Sequence, residues 1–78
     1  MPTILRVKGY RFFFNSREET RRHVHVSTAD GTAKFWLEPL IALAYYYNLS
    51  SKELAEAEEI IREYADDFRA AWDKHFGQ

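Results

Sequence analysis

An α+β fold is predicted, with a four- to five-stranded, mostly antiparallel sheet packed against one long carboxyl-terminal helix. Three observations predict it. Residues 3–38 alternate apolar and polar side chains in short runs, as half-buried strands do. Lys8-Gly9 and Asp30-Gly31 separate neighbouring runs with residues that favour tight turns. From residue 51 the apolar period changes from two to about 3.6.

The first strand, about 3–8, sets Leu5 and Val7 on one face and Arg6 and Lys8 on the other. Gly9 is free to take positive φ and closes a hairpin to a second, aromatic strand over 10–15. Asn15–Arg22 has no apolar residue and is read as a mobile polar loop outside the core. A third strand, about 23–28, and a fourth, 32–38, flank the Asp30-Gly31 turn. In the next segment Leu40-Ile41-Ala42-Leu43-Ala44 would suit a helix, but Tyr45-Tyr46-Tyr47 favours a strand, so a fifth extended segment over 40–47 is expected. Ser50 with Glu53 matches a capping box, and the apolar stripe Leu54, Ala57, Ile61, Tyr64, Phe68, Trp72, Phe76 predicts one helix over about 51–76, ended by Gly77.

The chain has 78 residues, enough for a single domain (1–78) with little stability to spare. It has no cysteine, which excludes disulfides, thiolate metal sites and a cysteine nucleophile, and fits a reducing cytoplasm. Neither a signal-peptide pattern nor a membrane-length apolar run occurs. The net charge of -1 conceals a split. Residues 1–36 carry seven basic groups against three acidic ones, whereas residues 37–78 carry four against nine. The basic half suggests an anion-binding or acidic-partner surface.

His23-Val24-His25-Val26 is the most informative run. On a strand the two imidazoles share one face and the two valines the other. With the valines turned to the helix, strict alternation gives the opposite face Arg6, Lys8, Arg11, Phe13, His23, His25, Lys34 and Trp36, with Arg21 and Arg22 beside it. That face is basic and aromatic together, and an open, solvated surface is expected there. Trp72 reads as core, and the three tyrosines as packing and edge residues.

Met1-Pro2-Thr3-Ile4, Tyr10-Arg11-Phe12-Phe13-Phe14, His23-Val24-His25-Val26, Ala33-Lys34-Phe35-Trp36-Leu37 and Ala71-Trp72 together resemble the small prokaryotic domain-of-unknown-function family 4160. The resemblance spans essentially the whole chain. It implies that His23, His25 and Trp72 stand at signature positions. Members usually place prolines directly before the first histidine, where this chain has Arg21-Arg22. The resemblance also implies a small protein partner, since such genes often lie beside domain-of-unknown-function family 2442 in what looks like a toxin–antitoxin-type pair.

Three chemistries fit the face. A metal site needs a third ligand; Glu38 alone shares the histidine face by alternation, and His75 and Asp30 are poorly placed, so neither metal nor cofactor is expected. His23 and His25, about 7 Å apart along a strand, could serve as base and acid of a metal-independent ribonuclease, with cations stabilising the phosphorane. Binding without chemistry is the reading preferred: a small cytoplasmic module that contacts a protein partner or nucleic acid through Arg6, Lys8, Arg11, Phe13, Arg21, Arg22, Lys34 and Trp36. Homodimerisation through the aromatic face or an edge strand is a further option.

Overall fold

The computed structural model describes residues 3–15 and 20–77. Five strands run β1 (Thr3–Val7), β2 (Tyr10–Phe13), β3 (His23–Ser27), β4 (Thr32–Trp36) and β5 (Ala42–Tyr47). Each pairs antiparallel with the next, so the sheet order is β1-β2-β3-β4-β5. The ambiguous segment after Pro39 is thus a strand, as its tyrosines indicate. Arg17, read with the polar loop, lies outside the described residues.

The turns follow from their residues. Lys8 and Gly9 both take positive φ (52° and 84°), the backbone of a two-residue hairpin turn. At the second hairpin Thr28 Oγ1 accepts hydrogen bonds from the backbone N–H groups of Asp30 and Gly31, at 3.0 and 3.2 Å. Gly31 is required there by space. A Cβ at this position would lie 2.0 Å from the carbonyl oxygen of Tyr47 and 2.7 Å from that of Asn48. Asn48, itself at φ 56°, donates from Nδ2 to the Asp30 carbonyl at 2.7 Å and turns the chain toward the first helix.

The single long helix expected over 51–76 is two: α1 (Ser51–Glu63) and α2 (Ala65–Phe76). Tyr64, at φ -108° and ψ 19°, leaves helical geometry between them. Hydrogen bonds still run into it and out of it, from Tyr64 N–H to Ile60 and from Phe68 N–H to Tyr64. No proline or glycine marks this break, so the periodic pattern reads through it. The predicted capping box is present: Glu53 N–H donates to Ser50 Oγ, and Ser50 N–H to Glu53 Oε1. That backbone hydrogen bond holds the Glu53 carboxyl below its ordinary range.

Both helices press on one sheet face. Phe12, Phe14, Val24, Val26, Ala33, Phe35 and Leu37 are buried there against Ala57, Ile61, Phe68 and Trp72. Phe12 meets Phe68 with ring centroids 5.4 Å apart, and Phe14 meets Trp72 edge-on at 5.3 Å. Tyr10, on the same face, donates from its hydroxyl to Glu56 of α1 at 2.9 Å.

Candidate functional site

Strand register arranges the other face in three rows. Arg6, Arg11, Ser27, Thr32 and Tyr47 lie side by side across all five strands. Phe13, His25, Lys34 and Tyr45 form the next row, and His23, Trp36 and Ala42 the third. Alternation therefore places Arg6, Arg11, Phe13, His23, His25, Lys34 and Trp36 on one face. Lys8 departs from it: β1 ends at Val7, and Lys8 sits in the turn, lining a groove of about 300 Å³ with Glu56, Glu59 and Glu63 of α1.

The expected open, solvated face is largely covered. His23 is fully buried, and His25 and Lys34 are each only 8% exposed. Two described residues outside the strands, Asn15 after β2 and Arg21 before β3, reach over this face. Asn15 Nδ2 donates to His25 Nε2 at 3.1 Å. The Arg21 guanidinium lies 4.1 Å from the centroid of the Trp36 indole, and its Nε donates to the Glu38 carbonyl.

Beneath this cover the rings pack closely. His23 is perpendicular to both His25 and Trp36, with centroids 5.2 and 5.5 Å away, and it touches Trp72 of α2 at 4.8 Å. Its Nδ1 lies 2.7 Å from the Arg21 carbonyl oxygen. A carbonyl oxygen only accepts, so the Nδ1 of His23 carries a proton. Phe13 and His25 stack at 5.4 Å. The indole N–H of Trp72 is buried with no acceptor among the described residues, so packing holds that ring.

The cations divide into two groups. Arg11 lies 4.5 Å from the Phe13 centroid and donates to Thr3 Oγ1; Lys34 lies 4.5 Å from Trp36 and 5.9 Å from Tyr45. With Arg21 over Trp36, these are cation–aromatic stacks. Arg6 is exposed beside them. Arg22, in contrast, is a strut. It bonds to Glu38 at 2.9 Å and grips Asp73 of α2 through Nε and Nη2, tying the start of β3 and the end of β4 to the helix. The hydrogen bond from Arg22 holds the Glu38 carboxyl below its ordinary range, and the two carboxylates raise the guanidinium above its own.

Sequence reasoning missed Asn15 and Tyr45 as members of this site and Asp73 as the partner of Arg22. Tyr45 is set beside Lys34 by the β4–β5 register, which shifts at Lys34 and Phe35 and is not readable from the sequence. Asn15 and Asp73 had no signal either. Among the described residues no three His, Asp or Glu side chains gather as a metal-ligand set, and no helix is long and apolar enough to cross a membrane.

No curated protein and no solved structure matches the chain. A family model does match, over residues 9–73, which includes the paired histidines, the cation–aromatic stacks and Trp72. The chain therefore belongs to the family described as Domain of unknown function (DUF4160).

Proposed function

We propose that this chain is a small cytoplasmic binding module, one member of a toxin–antitoxin-like pair, that grips an acidic surface of its protein partner. The observation that carries this reading is the pair of accessible guanidinium groups stacked on aromatic rings of one face, Arg11 on Phe13 and Arg21 on Trp36, with the buried Lys34 against the same indole. Stacked guanidinium groups are held in place before any contact is made, so less side-chain freedom is lost on binding. Arginine and aromatic residues also supply the anchors of protein interfaces.

A metal-independent ribonuclease using His23 and His25 is the alternative, favoured by the 5.2 Å separation of the two rings. Burial of His23 and the tie of its Nδ1 to the Arg21 carbonyl weigh against it, since an acid–base pair must reach its substrate.

The test is co-expression with the product of the neighbouring gene, followed by affinity measurement. Arg11→Glu and Arg21→Glu should each weaken the complex about tenfold or more. No complex, or one indifferent to both changes, overturns the proposal. Cleavage of single-stranded RNA by the chain alone, lost in His25→Ala, would transfer support to the ribonuclease.

A further inference from the structure

The two outer strands of the sheet are guarded differently. An outer strand presents unpaired backbone groups, and charged side chains ordinarily discourage other chains from pairing there. β1 has Arg6 within it and Lys8 just beyond. β5 has no charge, and neither does any residue from Pro39 to Leu49. It is also widely exposed: Tyr45 and Tyr46 each by 54%, Tyr47 by 71%, with Leu40 beside them at 75%.

We propose that β5 pairs antiparallel with β5 of a second copy of this chain, about a two-fold axis at Tyr46, to form one continuous ten-stranded sheet. The strand is complementary to itself. Centring the pairing on Tyr46 sets Tyr45 opposite the copy's Tyr47 and Tyr46 opposite the copy's Tyr46. This agrees with the faces already fixed by β4, because Tyr45 and Tyr47 pair with Lys34 and Thr32 on one face and Tyr46 pairs with Ala33 on the other. Aromatic residues directly opposite one another favour pairing, and like charges oppose it. An uncharged strand meets its own copy with no such opposition.

The pairing segment is defined from within the sheet. A register shift opposite Lys34 and Phe35 leaves Ala44 out of the β4 ladder, and beyond it Tyr45–Tyr47 pairs regularly. The exposed parts of the three tyrosines amount to roughly 300–450 Å². That is about half of the ~800 Å² each partner contributes to a stable interface. Leu40, Leu43 and the strand backbone extend it.

Sedimentation equilibrium of the full chain, from micromolar to near-millimolar concentration, tests the proposal. A reversible dimer is expected, with β5 amides gaining protection from hydrogen exchange as concentration rises. Tyr46→Lys, which meets itself across the axis, should weaken the dimer about tenfold or more. Tyr47→Lys, at the most exposed of the three tyrosines, should weaken it in the same direction and stands in if Tyr46→Lys fails to fold by circular dichroism. Lys74→Gln, exposed near the end of α2, should leave the dimer unchanged. A monomer at every concentration, or a dimer indifferent to the tyrosine changes, overturns the proposal.

Discussion

The imidazole of His23, the first residue of β3, packs on the indole of Trp72 near the end of α2, with ring centroids 4.8 Å apart. Two residues that the family resemblance marks as signatures are therefore a single contact. Its evident work is to seat α2 against the start of β3, where Arg22 and Asp73 also join the same two elements.

His23 should accordingly behave as a core residue. His23→Ala removes a fully buried ring from contact with Trp72, Trp36 and His25, and should cost about 2–4 kcal/mol. Urea unfolding followed by tryptophan fluorescence reads this loss directly. A change within about 0.5 kcal/mol, the range of neutral surface substitutions, would contradict the packing role.

Tyr10 predicts an alkaline limb in the stability curve. Burial, and then its hydrogen bond to Glu56, push the phenol up to about 12. An unfolded tyrosine titrates near 10, so the folded chain holds this proton the more tightly. The stabilisation is complete below pH about 10 and is lost as pH rises toward about 12. Replacing Tyr10 by Phe should remove that part of the pH dependence. Urea midpoints of the two proteins should therefore converge as the solution is made more alkaline; curves that stay parallel would refute the assignment.

Gly31 should tolerate no side chain. A Cβ there meets the backbone of Tyr47 and Asn48, which cannot swing aside as a side-chain tip can. Gly31→Ala is expected to destabilise the protein by about 1–3 kcal/mol, the usual range for overpacking. The loss should appear as a lower thermal midpoint, together with faster amide exchange in β5 and at the start of α1. An unchanged midpoint would show that β5 can shift without cost.

Local chemistry made much of the fold legible. Lys8-Gly9 and the Ser50–Glu53 box are decided by neighbours in sequence and form as their residues predict, whereas the turn at Asp30-Gly31 falls where expected but needs its glycine for room beside Tyr47 and Asn48. Period-two alternation likewise sorted Val24 and Val26 from His23 and His25. What alternation cannot supply is what lies over a face. The covering of the histidines depends on Asn15 and Arg21, polar residues in a segment without periodicity. The break at Tyr64 was hidden for a related reason: the apolar stripe continues through it, and no residue type there forbids a helix. Arg22 shows the same limit, because its role depends on Asp73, brought near only when α2 docks.

The simple order β1-β2-β3-β4-β5 also bears on how the molecule is made. Every strand pairs with its neighbour in the chain, so each pairing closes only a short loop, and the entropic cost of closure stays low. Among the described residues the widest closures belong to the helices, through Tyr10 with Glu56, Phe12 with Phe68, and Arg22 with Asp73. During synthesis, all five strands emerge before α2 is available. His23 then has the Trp36 indole of β4 beside it but not that of Trp72, and acquires the second contact only when the last helix arrives.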